Sequence, residues 1–167
     1  MMDLVQFDER RLNRALLARQ LLLDRGRMEV VDAVRQILSI QAQEPSSPYL
    51  ALSARVDGVA PDDVDRAFSS RSIVKATLMR VTLHAVAADD HPVFRQAMQV
   101  TLRGARLRDR RFLGTGWSEE DADDVIGPLR SAMGEPMDNA SVQDWLAGHA
   151  GSDPGPYVWW ALRQYGP

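Results

Sequence analysis

The sequence has no cysteine, a single lysine (Lys75) and three histidines. Without cysteine there is no disulfide, no thiolate nucleophile and no cysteine-ligated zinc. His84, His91 and His149 do not stand at a His-x-x-x-His spacing, so no metal is expected, and no cofactor-binding motif points to a cofactor. Gly114-Thr115-Gly116 has no preceding strand and no following Gly-Lys-Ser/Thr, so it is not a phosphate loop. No apolar run reaches the length that spans a bilayer. No basic-then-apolar leader opens the chain, and the expectation is a cytoplasmic protein. A basic surplus is also missing: the formal net charge is −3. That weighs against strong non-specific binding to nucleic acid.

The distribution of charge says more than its sum. The cationic residues other than Lys75 are arginines, whose planar fork suits phosphates better than an ammonium does. Acidic residues gather in Ser118-Glu119-Glu120-Asp121-Ala122-Asp123-Asp124 and at Asp62-Asp63. A basic face can therefore coexist with an acidic average. The length of 167 residues suits one domain or two small ones, and 45% hydrophobic with 26% charged residues is the balance of a soluble globular protein.

Periodicity predicts a mainly helical fold. A first helix runs from Asp8 to about Leu23 on a stripe of Leu12, Leu16 and Leu23, and a second from Met28 to Ile40. A short helix covers Ser47–Arg55 with Pro48 in its first turn. Another follows Asp62-Asp63 and buries Val64, Ala67 and Phe68. The β-branched runs Ile73–Leu78 and Val81–Val86 read as a hairpin with Met79 and Arg80 at its bend, although Asn-Gly turn chemistry is absent. A long helix then has Val93, Phe94, Ala97, Met98, Thr101 and Leu102 on its inward face. Capping boxes at Ser118 and Ser141 open two more. Gly148 to Pro156 reads as a linker, and Tyr157–Gln164 as an aromatic helix. Helices followed by a hairpin are the order of a winged helix-turn-helix. The predicted organisation is a first winged-helix unit over residues 1–112 and, over 113–167, the helical start of an incomplete second unit.

The residues best placed to carry chemistry lie in Ser39-Ile40-Gln41-Ala42-Gln43-Glu44-Pro45. Two neutral amides, one residue apart, can hold a water or a base edge by hydrogen bonds without adding charge. Helix-end solvation is the alternative reading. Taken with Tyr49-Leu50-Ala51-Leu52-Ser53-Ala54-Arg55 and Met79-Arg80-Val81-Thr82-Leu83-His84, this string resembles the winged-helix family of AlkZ/YcaQ-type alkylpurine DNA glycosylases. The resemblance covers most of this chain and roughly the first half of the family's length. It implies double-stranded, alkylated DNA as substrate, N7-alkylated purines as the base removed, and Gln41 and Gln43 as the catalytic motif. A related branch has aspartate at the second position.

Thr82 and His84 share one face of a strand and are secondary site candidates near the DNA; a histidine satisfied by neighbouring backbone is the alternative. Arg80 at the hairpin tip is a candidate for the DNA backbone or minor groove. Arg103, Arg106 and Arg108 are candidates for phosphate contact. Against them stands a solvated helix face paired with Asp109 and the acidic segment that follows. Trp145, Trp159, Trp160, Tyr157 and Tyr165 fall at helical spacing, which favours core packing or a homodimer contact through the C-terminal segment over base stacking. A non-catalytic winged-helix regulator remains the competing function, because fold does not decide chemistry.

Overall fold

The computed structural model describes residues 8–150 and 154–166. The chain gathers into two compact units, Met1–Phe94 and Arg95–Pro167. The first holds α1 (Glu9–Arg19), α2 (Val30–Ile37), β1 (Ile40–Gln41), α3 (Ser47–Ser53), α4 (Pro61–Ser69), β2 (Ile73–Thr77) and β3 (Leu83–Ala87). Helix α5 (His91–Leu107) begins there and runs into the second unit, which adds α6 (Arg110–Leu113), α7 (Glu119–Ala132), α8 (Asn139–Ala150) and α9 (Pro156–Tyr165). The fold is mainly helical with one small antiparallel sheet, the class its sequence predicts.

The core of the first unit is built from α2, whose Val30, Ala33, Val34 and Ile37 are buried together with Leu52 of α3, Val64 and Ala67 of α4, and Ile40, Ile73 and Ala85 of the sheet. The three strands lie in the order β1-β3-β2. Central β3 is buried from His84 to Ala87. Tyr49 donates to Asp65 at 2.6 Å, which ties α3 to α4.

Asp8 caps α1 by accepting from the Arg11 N–H at 2.7 Å, as predicted. The leucine stripe behaves otherwise. Helix α1 buries none of its residues, and Leu16 is 62% exposed. On α5 the expected inward face is corrected in part: Leu102 is buried as expected, but Val93, Ala97 and Thr101 are exposed, and Leu107 is buried in addition.

The hairpin is present with shorter strands than the apolar runs suggest. Its last pair is Thr77 with Leu83, and a 3-10 turn over Met79–Val81 makes the connection. Lacking an Asn-Gly turn, the chain reverses through Arg80 and Val81 at φ 55° and 59°. These are left-handed conformations that L-residues adopt at a cost.

A third strained position lies just ahead of the glutamines. Leu38 ends α2 at φ 74°, ψ −45°, with its side chain exposed to solvent. Glycine meets no Cβ clash in this region and is favoured after a helix. Leu38→Gly is expected to raise the stability of the first unit by about 1 kcal/mol, read in urea unfolding as a higher midpoint at unchanged slope.

In the second unit, α7 opens with the anticipated box. Ser118 Oγ accepts from the Asp121 N–H at 3.0 Å, and the Asp121 carboxylate accepts from the Ser118 N–H at 2.8 Å. Hydrogen bonds from the Ser118 N–H and the Ser118 hydroxyl hold the Asp121 carboxyl below its ordinary range, backbone bond first. Helix α8 starts earlier than its Ser141 box implies. Asp138 is the cap, accepting from the Ser141 N–H at 2.7 Å. The aromatic helix is largely interior, as the spacing implies: Trp159 and Tyr165 are buried, and Trp159 Nε1 donates to Asn139 Oδ1 at 2.8 Å. Tyr157 stays exposed. Of the expected linker, residues 151–153 lie outside the described residues. Among the described residues no strand follows β3.

Candidate functional site

The Gln-Ala-Gln string forms the edge of the sheet. Ile40 and Gln41 pair with Ala85 and His84 of β3. Beyond the strand proper, the Ala42 N–H donates to the Leu83 carbonyl at 2.8 Å, which extends the ladder by one residue. Extended backbone alternates sides. Accordingly Ile40 and Ala42 are buried while Gln41 and Gln43 are exposed. The spacing of the two amides is thus the pleat of a strand. The intervening residue is small and apolar because it points into the core.

The two amides are held differently. Gln43 Oε1 accepts from the Leu83 N–H at 3.3 Å, so its position is set by the backbone of β3. One lone pair of that oxygen and both amide protons stay available. The Gln41 side chain makes no hydrogen bond among the described residues and is free to turn toward a ligand.

The register brings two further candidates to the same place. His84 lies opposite Gln41 on one side and Ala76 on the other. It is 4% exposed, and its Nδ1 sits 2.9 Å from the Thr82 carbonyl. A carbonyl oxygen only accepts, so Nδ1 carries a proton in this contact. The Thr82 hydroxyl bonds the Met79 carbonyl at 3.2 Å and braces the hairpin turn. Gln41, Gln43, Thr82 and His84 therefore converge, although about 40 positions separate the two strings in sequence, the span of the Leu83–Gln43 bond.

An open cavity of about 330 Å³ lies beside β1. Its walls include Ser39, Ile40, Gln41, Ser47, Leu50 and Arg55. No carboxylate lines it. Arg55 closes the second of the three sequence strings, yet sequence reasoning did not single it out. Its Nη1 donates to the Ala51 carbonyl at 3.0 Å, while its Nε is buried with no partner. No acid pairs with it among the described residues. A motif can show that an arginine is there; only folding shows that nothing neutralises it.

The other arginine candidates separate into two kinds. Arg80 and Arg108 are exposed and carry no ion pair among the described residues. Arg103 is engaged: it bonds Asp123 at 2.6 and 3.0 Å and Glu119 at 2.8 Å. The Asp123 hydrogen bonds push its guanidinium further above the usual arginine range. Arg106 donates to Gln164 and lies 4.7 Å over the Trp160 ring, with Arg111 at 3.9 Å from the same ring. Burial, more than the neighbouring Arg111 and Arg163 charges, pushes the Arg106 guanidinium below its ordinary range.

A family model described as DNA glycosylase AlkZ-like matches residues 34–167, a stretch that includes all three strings. Among solved structures, Streptomyces sahachiroi DNA glycosylase AlkZ superposes with a TM-score of 0.72 at 17% sequence identity. The match covers 89% of this chain and 42% of that one, so the chain spans less than half the length of the solved relative. No curated protein matches. With the family match extending over most of its length, the chain belongs to the AlkZ-like DNA glycosylase family.

Proposed function

We propose that the full-length protein is a monofunctional DNA glycosylase that excises N7-alkylated purines from double-stranded DNA, with Gln41 and Gln43 as its catalytic residues. The observation that carries this reading is the exposed amide pair beside His84, of which Gln41 lines a cavity that contains an unpaired arginine and no acid. A purine alkylated at N7 is already cationic. Its bond to the sugar is weak, and the leaving base needs no proton. The enzyme must position a water and stabilise an oxocarbenium-like sugar. Gln41, free to rotate, orients the water through its amide oxygen. Gln43, fixed on Leu83, turns its remaining lone pair toward the developing cation. As C1′ leaves N9, the electron pair stays with the purine and cancels its charge. Water adds to C1′ and loses its proton to solvent, leaving an abasic site and a neutral base. An amide is too weak a base to take that proton near neutral pH, which is why the substrate must be primed beforehand.

In the same reading the hairpin serves as the wing of a winged helix, with Arg80 toward the DNA and Thr82 and His84 behind it. Extrusion of the damaged nucleotide is the general expectation for a glycosylase. Arg108 contributes a phosphate contact, while Arg103 and Arg106 serve the second unit internally. Arg108→Ala is expected to reduce the salt slope of DNA affinity by about 0.9, the signature of one lost phosphate contact. Arg103→Ala should leave that slope alone and lower thermal stability by about 1 kcal/mol, because the side chain holds α5 to α7. Titrations at several salt concentrations with parallel melting curves check both.

The reading itself is tested by base release. Full-length protein is incubated with methylated duplex DNA, and free 7-methylguanine is measured. Release supports the glycosylase. DNA binding without release overturns it in favour of the non-catalytic regulator.

A further inference from the structure

We infer that Arg55 is a phosphate-holding residue, taking a DNA backbone phosphate into the Gln41 cavity and so setting the reacting nucleotide against the two amides. The inference rests on the glycosylase reading for its substrate, and on the cavity for its site. Four observations converge. Arg55 and Gln41 line the same open cavity. The polar groups beside them, from Ser39 and Ser47, are neutral. The Arg55 charge has no acid partner among the described residues. Its Nε is an orphaned buried donor, while Nη1 is anchored on the Ala51 carbonyl, which fixes the plane of the fork. Nη2 has neither a partner nor a place among the buried donors, so it is the end of the fork that a ligand oxygen can meet.

The chemistry of the substrate selects the anion. A guanidinium can pair with a guanine edge or with a phosphate. Here the base is cationic before the reaction, and the sugar becomes cationic during it. A bare arginine beside either would oppose the step. A phosphate bound to Arg55 cancels that charge and brings its own negative oxygens near the sugar, where positive charge develops. Arginine then acts through position: it fixes the backbone on one side of the nucleotide that Gln41 addresses. It is a positioning residue and does not touch the reacting atoms.

The test uses the full-length protein and reads affinity for undamaged and methylated duplex DNA as a function of salt. Arg55→Gln is expected to lower the slope of log K against log salt by about 0.9, and Arg55→Lys to retain it. The rate of 7-methylguanine release should fall by about 10²-fold in Arg55→Gln, through misplacement of the nucleotide. A second variant avoids dependence on the Arg55–Ala51 contact. Ser47→Asp puts a carboxylate at the first turn of α3, where it suits the helix, and into the cavity facing Arg55. Its slope should drop by about 0.9 or more. Parental slopes in both Ser47→Asp and a folded Arg55→Gln overturn the inference. Base release by the parent with unchanged slopes removes the phosphate site and leaves the glycosylase standing. Reduced slopes with no base release in the parent do the reverse.

Discussion

Gln41→Ala is expected to lower the release of 7-methylguanine by about 10²- to 10³-fold while DNA affinity stays within about twofold of the parent. The size follows from what the amide does. In the proposed reaction it is a neutral group that turns toward the transition state, and loss of one such hydrogen-bonding partner costs a few kcal/mol of barrier lowering. Affinity is spared because a neutral amide forms no ion pair with phosphate, the interaction that dominates DNA affinity. Gln43→Ala should show the same pattern with a smaller loss, about 10²-fold, since its oxygen is already half engaged by the Leu83 N–H. That variant also frees the Leu83 N–H at the half-buried start of the central strand, where water replaces the lost acceptor at little cost in stability. Single-turnover release and equilibrium binding on the same duplex separate the two quantities. Equal loss of binding and release would mean that the glutamines hold DNA and do not act on the sugar.

Leu52→Ala should give the largest loss of stability, about 2–5 kcal/mol, because a fully buried leucine leaves both lost transfer energy and a cavity. Leu52 sits in the cluster that joins α3 to α2 and the sheet. Its neighbours Leu50, Ala51 and Arg55 form one wall of the Gln41 cavity. The substitution therefore loosens the wall as well as the core, and base release should fall with it even at temperatures where the protein stays folded. Thermal unfolding monitored by circular dichroism reads the first effect, and release at about 20 °C below the parental midpoint reads the second. A variant that melts within a degree of the parent would show that the cluster repacks around the deletion.

Much of this was legible from residue patterns because the patterns are local. The amphipathic spacing of α2 and α4, the Asp8 and Ser118 caps and the β-branched hairpin runs each reflect forces acting within a few residues. The three strings pointed to a site because the sheet later joins two of them. Strand β1 was not legible. It has two residues, too few for any periodicity, and it exists because β3 offers it a ladder. The left-handed Leu38, Arg80 and Val81 were hidden for a related reason: tertiary packing imposes those conformations against local preference. The arginine run shows the same limit. Which cation is neutralised depends on whether α7 brings Asp123 and Glu119 alongside, and Arg103 and Arg108 look alike until it does. The exposed leucines of α1 had the pattern of a buried stripe without a neighbour among the described residues to bury it.

The pleat at Ile40–Gln43 makes this site sensitive to chain length in a way that its individual side chains are not. One residue inserted or deleted between Ile40 and Gln43 would exchange inside for outside, sending an amide toward the core and an aliphatic group into the solvent. Substitution at Ala42 need only respect size and polarity, whereas a frame-preserving gain or loss of a single codon dismantles the core and the candidate site in one event. In this segment the count of residues is under tighter constraint than the identity of most of them.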